Sequence, residues 1–218
     1  MFSELNSLQL LTVAIIPTLF AIVVHEISHG YVALRLGDTT AYAAGRLTLN
    51  PIKHIDLIGT IVVPAILIIT VGFAFGWAKP VPITWGNLRK PKRDIALVAA
   101  AGPGANLLMA FIWALLVKIA TFLPPEMFLT KPLFYMGMFG ILINTVLMVF
   151  NLVPIPPTDG GRILTSLLPP RMSYNVSKIE PYGMFILVGL MITGILWAVI
   201  GPVINSVMMV IQSLVGLG

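Results

Sequence analysis

The chain has 218 residues, of which 58% are hydrophobic and only 10% carry a charge. A soluble domain has about 25% charged residues, so this composition excludes a water-soluble globular protein and a disordered chain. Lys and Arg outnumber Asp and Glu by 13 to 8, an excess that in so apolar a chain indicates loops facing an anionic membrane surface rather than nucleic acid. There is no cysteine, which excludes disulfides and thiolate metal ligands. The composition predicts an integral membrane protein.

Five long stretches of the sequence carry no charged residue, and each reaches the about 20 residues that a helix needs to cross a bilayer. In chain order they cover residues 5–24, 57–78, 95–117, 133–158 and 181–218. The apolar pattern of the first continues to Leu36 with no basic residue before it, which predicts a retained membrane helix over 8–36 rather than a signal peptide. Pro64 interrupts the second stretch, and Gly201–Pro202 is expected to divide the last.

These stretches predict an all-α, polytopic membrane protein with about 5–6 transmembrane helices. No internal repeat, low-complexity run or linker to a soluble domain divides the sequence. We therefore expect a single membrane-embedded domain over 1–218, in which 181–218 forms one or two C-terminal helices.

Three ionisable side chains lie within five positions of the first predicted helix, in the sequence His25-Glu26-Ile27-Ser28-His29. Ionisable residues are costly inside a membrane, so their presence in a span indicates a functional site. Residues four apart share one face of a helix, so His25 and His29 can bind the same metal ion while Glu26 lies beside it. Neutral imidazoles are zinc ligands, and a neighbouring glutamate can take a proton from zinc-bound water, which predicts a metal hydrolase.

A catalytic zinc site needs a third protein ligand and one open coordination position. Without cysteine the candidates are His54 and Asp159, the acid that follows the fourth apolar stretch. Three prolines between residues 154 and 157 remove helical hydrogen bonds and open the backbone next to this acid. A proline-rich helix exit with an interfacial aspartate would explain the same residues, but the need of the two histidines for a partner favours Asp159 as the ligand.

The two metal-binding motifs together resemble the site-2 protease family of intramembrane zinc metalloproteases. The first is the HExxH string at 25–29 on a membrane helix, and the second is Asn-x-x-Pro-x-x-x-x-Asp-Gly at 151–160. A further string contains Gly102 and Asn106 and is similar to the Gly-x-x-x-Asn element of the family's central helix. The resemblance covers residues 20–168, and the chain resembles a minimal member of the family, without PDZ or CBS domains.

The resemblance implies an intramembrane zinc endopeptidase that hydrolyses peptide bonds within or near transmembrane segments of membrane-protein substrates. It implies one Zn²⁺ held by His25, His29 and Asp159, with Glu26 as the catalytic base, in a catalytic core over 8–168. It also implies a short β element that dips into the membrane and binds an unwound substrate by strand addition. Candidate segments for this element are 43–49 and the proline-interrupted 79–84.

The alternative is a catalytically inactive or non-protease metal-binding membrane protein of the same fold. An inactive homologue need not keep Glu26, and a metal transporter would carry acids or histidines along a path, which the other spans lack. A zinc hydrolase that acts on another substrate, such as a lipid, stays open on the residues alone.

The metal site also constrains the path of the chain through the membrane. Zinc–ligand distances of about 2 Å require the two histidines and Asp159 to lie at one depth. A complete crossing by 57–78 would place Asp159 on the side opposite the histidines, whereas a re-entrant segment brings them to the same side. The re-entrant path also puts eleven of the 13 basic residues on that side, which the positive-inside rule identifies as the cytoplasm. We therefore expect a re-entrant 57–78, an extended return through 79–88, an N-terminus outside and an active site toward the cytoplasmic side of a prokaryotic plasma membrane.

Four further residues are candidates for supporting roles. Asn151 is a candidate donor to the zinc-bound water or the developing oxyanion, or a helix cap. Gly102 and Asn106 are expected to serve close helix packing or to support the site, as is His54 from an interfacial turn. The expected partners are a transmembrane substrate and the lipid bilayer, with no nucleic acid, because the basic run 87–94 is most simply a head-group anchor.

Overall fold

A computed structural model describes residues 2, 4–63, 66, 69–70 and 76–217 of the chain. The α-helices whose bounds lie within the described residues are, in chain order, α1 (Ser7–Leu36), α2 (Thr40–Ala43), α3 (Pro91–Phe122), α4 (Thr130–Asn151), α5 (Asp159–Leu167), α6 (Pro170–Ser177), α7 (Glu180–Ile192) and α8 (Ile195–Val215). Between α2 and α3, the described residues include two short 3₁₀ helices, at Pro51–His54 and Trp85–Asn87, and one π-helix, at Leu57–Val62. No strand occurs among the described residues.

Four of these helices, α1, α3, α4 and α8, are long and apolar enough to cross a membrane. This confirms the prediction of an all-α membrane protein. The described part of the chain has four such helices rather than five or six, because α7 has only 13 residues and is shorter than the about 20 that a span requires. The predicted re-entrant segment 57–78 falls partly on residues outside those described, namely 64–65, 67–68 and 71–75, and it stays a prediction.

Helix α1 is fixed at both ends by residues suited to those positions. Asn6 and Gln9 form a reciprocal capping box, with hydrogen bonds of 2.9 and 3.0 Å between each side chain and the other's backbone N–H. At the other end Gly37 has a φ of 117°, which L side chains rarely adopt, and terminates the helix. The 30 residues of α1 span about 45 Å, more than the about 30 Å of a hydrocarbon core, so the second half of α1 reaches one end of the bundle.

The segment between α1 and α3 begins and ends at the same end of the bundle. The backbone N–H of Arg89 donates to the carbonyl of Leu36, the last residue of α1, at 3.2 Å. Asp38 is fully buried and accepts hydrogen bonds from the backbone of Thr84 and the side chain of Asn87 at 2.8 and 2.9 Å. Burial raises the pKa of the Asp38 carboxyl, but the hydrogen bonds that it accepts outweigh burial and lower the pKa below its usual value. This carboxylate therefore ties the end of the segment to its beginning.

Neither candidate for the membrane-dipping β element forms a strand. Residues 43–49 and 79–84 are joined instead by the guanidinium of Arg46, whose Nη2 donates to the carbonyl of Lys79 at 3.0 Å. Pro80 and Pro82 lack the backbone N–H groups that a regular β ladder uses, which explains why 79–84 forms no ladder. The β element is not confirmed.

Helix α3 is the centre of the bundle and packs against α1, α4, α5 and α8. The close approach of α4 depends on two glycines. A Cβ on Gly140 would overlap the ring of Trp113, and a Cβ on Gly137 would lie 2.5 Å from Cγ2 of Val117. Small residues are typical of helix contacts in membranes, where association depends on close packing. The first half of α3 lies against the second half of α1, where Asn106 and Val98 bond to His25 and His29.

The C-terminal stretch forms two helices that meet at Gly194. This glycine has a φ of 76°, and its N–H donates to the carbonyl of Met191 as α7 ends. The division expected at Gly201–Pro202 is wrong: both residues lie inside α8, because a helix in apolar surroundings tolerates the one hydrogen bond that proline removes. Helix α8 ends beside the end of α3, where Nζ of Lys118 donates to the carbonyl of Gly216 at 2.6 Å.

Candidate metal centre

Three side chains converge on one point between α1, α3 and α5. The Nε2 atoms of His25 and His29 lie 3.1 Å apart, and each lies 3.3 Å from Oδ2 of Asp159. Two ligands bound to one tetrahedral zinc ion at about 2.0 Å are about 3.3 Å from each other, so the three atoms have the spacing of a zinc ligand set. Among the residues that the structure describes, this is the one group of His, Asp and Glu side chains able to hold a metal ion.

Hydrogen bonds on the far side of each imidazole determine which ring nitrogen faces the centre. Nδ1 of His25 lies 2.6 Å from Oδ1 of Asn106, and Nδ1 of His29 lies 2.7 Å from the carbonyl oxygen of Val98. Neither oxygen can donate a proton, so in the neutral imidazoles Nδ1 carries the hydrogen and Nε2 carries the lone pair. This tautomer is the one in which Nε2 can bind a metal ion.

The three converging acceptor atoms form a site suited to a cation. With both Nε2 atoms unprotonated, they and Oδ2 of Asp159 are three acceptors with no proton to share. Oδ2 is buried without a hydrogen-bond partner, and His25 and His29 are 7% and 8% exposed. Unpaired buried acceptors cost free energy, which a bound cation would offset. Two imidazole nitrogens and one carboxylate oxygen are ligands that zinc accepts, so the residues fit this ion.

Gly102 of α3 leaves the room that the two imidazoles occupy. A Cβ on this residue would overlap Nε2 of His29 and would lie 2.6 Å from Cε1 of His25. The imidazoles are held from behind by Asn106 and Val98, so they have little freedom to move aside. The arrangement therefore requires glycine at this position of α3.

Asp159 is presented by the turn that joins α4 to α5. Thr158 is the N-cap of α5, and its Oγ1 accepts the backbone N–H of Gly161 at 3.2 Å. Gly160 lets the turn fold back against α4, because a Cβ there would overlap the carbonyl of Leu152. The carboxylate is therefore fixed on the first residue of α5, with its side chain 13% exposed.

Glu26 lies next to His25 on α1 and binds the backbone of the segment 79–84. Its Oε2 accepts the backbone N–H of Val81 at 2.9 Å. The residues on either side of Val81 are prolines and have no N–H, so Val81 supplies the single donor of its tripeptide. One turn further along α1, Gly30 gives the segment room, since a Cβ there would lie 2.8 Å from Cγ1 of Val81. The hydrogen bond orients a half-buried carboxylate.

Residues 116–194 of the chain, a segment that includes Asp159, match Peptidase family M50. A relative from Bacillus subtilis, named "Putative zinc metalloprotease YwhC", is 39% identical over 201 residues, which are 91% of this chain and 89% of the relative. The chain belongs to peptidase family M50. Its resemblance to the site-2 proteases, which are this family, is thereby confirmed.

Other relatives of this M50 chain carry similar names. "Putative zinc metalloprotease Rip2" from Mycolicibacterium smegmatis is 33% identical over 178 residues, which are 80% of this chain and 64% of the relative. A Methanocaldococcus jannaschii protein with a name of the same type, MJ0611, is 40% identical over 67 residues, which are 31% of each chain. No solved structure matches the chain.

The supporting candidates of this M50 chain divide into two pairs. Gly102 and Asn106 contact the histidines directly, as described above. The amide of Asn151 donates instead to the carbonyl of Leu147, one turn back in α4, at 2.9 Å. His54 is buried, and its Nε2 lies 3.0 Å from the carbonyl of Thr48. The supporting roles predicted for Asn151 and His54 stay predictions.

Asn144 of α4 is a functional candidate that the sequence reasoning missed. It is fully buried, and its Oδ1 accepts a hydrogen bond from Nδ2 of Asn106 at 3.0 Å. The available signal was an amide within the apolar stretch 133–158, since a polar side chain in a span needs a partner. The identity of that partner depends on how α3 packs against α4, which the sequence does not reveal.

Proposed function

We propose that this M50 chain is an intramembrane zinc endopeptidase, which hydrolyses peptide bonds within or near transmembrane segments of membrane proteins. The observation that carries the proposal is the convergence of three buried acceptors, Nε2 of His25, Nε2 of His29 and Oδ2 of Asp159, at the mutual spacing of zinc ligands. Family membership and the zinc metalloprotease names of the relatives support the same chemistry.

His25, His29 and Asp159 would hold one Zn²⁺ and leave a fourth position for water or substrate. When bound, the ion lowers the pKa of a coordinated water and polarises the scissile carbonyl. Asn106 and the carbonyl of Val98 keep a hydrogen on Nδ1 of each imidazole, so that the lone pairs of both Nε2 atoms face the ion.

Glu26 is the general base and then the general acid of the proposed reaction. Its carboxylate takes a proton from the attacking water, whose oxygen forms a bond to the carbonyl carbon of the substrate. The same carboxyl group gives this proton to the peptide nitrogen as the C–N bond breaks, so Glu26 returns to its starting state. The N–H of Val81 orients the carboxylate for both transfers. Asn151 is proposed as a donor to the developing oxyanion once its amide turns away from Leu147.

The substrate helix must unwind locally before one of its peptide bonds can be attacked, because hydrogen bonds shield the bonds of an intact helix. We assign the binding of the unwound stretch to residues 79–84. One observation supports this role: the backbone N–H of Val81, within this segment, donates to Glu26. A bound stretch would therefore lie beside the general base.

The proposed orientation puts the metal centre toward the cytoplasm and the N-terminus outside, in a prokaryotic plasma membrane. The hydrogen bond between Arg89 and Leu36 supports it, because a segment that leaves and rejoins the bundle at one end makes no net crossing. We propose a re-entrant path for 57–78 on this ground, and eleven of the 13 basic residues would then lie on the side of the metal centre. We propose that the end of α8 also lies outside, since Gly216 accepts a hydrogen bond from Lys118, and that 1–218 acts as one membrane-embedded domain.

Elemental analysis of the purified protein tests this proposal. After exposure to excess zinc and dialysis, the wild-type protein is expected to contain one zinc per chain. Asp159→Asn is expected to contain none, because an amide oxygen lacks the charge of the carboxylate ligand. Asp56→Asn is the matched control and is expected to keep its zinc, since Asp56 caps the π-helix through Gly59 and an asparagine caps equally well. A wild-type protein without zinc would contradict the proposal.

A further inference from the structure

A chain of buried amides leads from the metal centre into the bundle. Oδ1 of Asn106 lies 2.6 Å from Nδ1 of His25, and Nδ2 of Asn106 donates to Oδ1 of Asn144 at 3.0 Å. Nδ2 of Asn144 donates in turn to the carbonyl of Gly140, one turn back in α4, at 2.9 Å. Both asparagines are 0% exposed. The chain therefore joins α1, α3 and α4 through three buried side chains, and the two amides among them are out of reach of water.

Each amide in this chain can face only one way. The carbonyl of Gly140 is an acceptor, so the NH₂ group of Asn144 must point toward it and the oxygen of Asn144 must point toward Asn106. The NH₂ group of Asn106 must therefore face this oxygen and the carbonyl of Ala21, because both are acceptors, and it donates to the carbonyl of Ala21 at 3.1 Å. The oxygen of Asn106 is then left to accept the Nδ1 hydrogen of His25.

We propose that Asn144 is a positioning residue of the metal centre, which acts on His25 through Asn106. Together with the carbonyl of Ala21, Asn144 fixes the direction of the Asn106 amide, and so keeps the hydrogen of His25 on Nδ1 and the lone pair of Nε2 toward the centre. If the Asn106 amide were flipped, its NH₂ group would face the Nδ1 hydrogen of His25, donor against donor. Its oxygen would face the carbonyl oxygen of Ala21, acceptor against acceptor. The inference rests on the proposed function, since it concerns the affinity of the same site for its metal ion.

A role limited to helix packing would produce a different result. Hydrogen bonds between membrane helices stabilise the bundle, so a packing asparagine affects unfolding but has no direct effect on metal affinity in the folded protein. Its neighbour Thr145 is also 0% exposed, and Oγ1 of Thr145 has no hydrogen-bond partner. Thr145→Val is therefore the matched control, because it changes a buried residue next to Asn144 on the same helix but removes no hydrogen bond.

The test is a titration of the metal-free, detergent-purified protein with Co²⁺ and Zn²⁺, which gives dissociation constants and the visible spectrum of bound cobalt. Asn144→Leu has nearly the same volume but no amide, and we expect it to weaken metal binding about 10-fold, the low end of the about 10–100-fold loss found when a partner of a ligand is removed. We also expect a changed cobalt spectrum, because His25 loses its fixed orientation. Thr145→Val should bind both metals as the wild type does.

A rescue variant and a double variant test whether Asn144 acts on His25 through Asn106. Asn144→Asp, neutral when buried, offers a carbonyl to Asn106 and an O–H to Gly140, so it should restore most of the affinity. In an Asn106→Leu background, Asn144→Leu should cause little further loss, because the two residues act in series.

Wild-type affinity and cobalt spectrum in folded Asn144→Leu would overturn the inference and leave the proposed function intact. Absence of metal binding by the wild type would instead overturn the proposed function. If Asn144→Leu does not fold, as judged by its circular dichroism, Asn144→Ser takes its place with the same expected and contradicting results.

Discussion

Replacement of Gly102 by alanine is expected to abolish stoichiometric zinc binding, although it adds a single methyl group. The new Cβ would overlap Nε2 of His29, the atom that faces the centre, and would lie 2.6 Å from Cε1 of His25. Neither side can yield easily: Asn106 and Val98 hold the imidazoles, and α3 is packed against three other long helices. Zinc per chain, measured by elemental analysis of the purified variant, should fall to near zero, and cleavage should be lost with it.

Gly104→Ala is the matched control for this prediction. It adds the same methyl group two residues further along α3, where only the neighbouring residues and backbone of α3 itself lie within 4 Å of the new Cβ. This variant should bind zinc like the wild type. If Gly102→Ala retained one zinc per chain, the three converging side chains would not be the zinc ligands.

Glu26→Gln is expected to leave zinc binding intact and to lower kcat for peptide cleavage by about 10²–10⁴-fold, the usual contribution of a general acid–base group. Glutamine has the shape of glutamate, and its oxygen can still accept the N–H of Val81, but it cannot take a proton from water. Turnover of a transmembrane peptide by the purified protein, measured beside zinc content, separates the loss of chemistry from the loss of metal.

Glu4→Gln is the control for this prediction, because Glu4 bonds to Tyr135 at the start of α4, at the opposite end of the bundle. It should cleave at the wild-type rate. Undiminished cleavage by Glu26→Gln would exclude Glu26 as the base. Loss of zinc from this variant would instead assign Glu26 to metal binding rather than to proton transfer.

The parts of the molecule that depend on local sequence were predictable. Apolar stretches of sufficient length identified α1, α3 and α4, and the i, i+4 spacing of His25 and His29 put both imidazoles on one helix face. The convergence of Asp159 with the histidines followed from ligand counting. It required only that a zinc ion has a third protein ligand and that few residues could supply one.

The parts that depend on packing or on the backbone were not predictable. The N–H of Val81 donates to Glu26, and a sequence motif, which specifies side chains, does not reveal a hydrogen bond from the main chain. Asn144 is within hydrogen-bond distance of Asn106 because Gly137 and Gly140 let α4 pack closely against α3. The last stretch bends at Gly194, where the backbone is left-handed, and not at Pro202, because removal of one hydrogen bond does not end a helix.

The central claim, cleavage of membrane proteins within or near their transmembrane segments, is tested most directly by comparison of membrane-protein fragments between cells that make the wild-type protein and cells that make Glu26→Gln. Mass spectrometry of new peptide termini identifies each cleavage site. We predict termini within or beside transmembrane segments, toward the cytoplasmic side, that appear with the wild type and not with the variant. Identical sets of termini in the two cell lines would contradict the account.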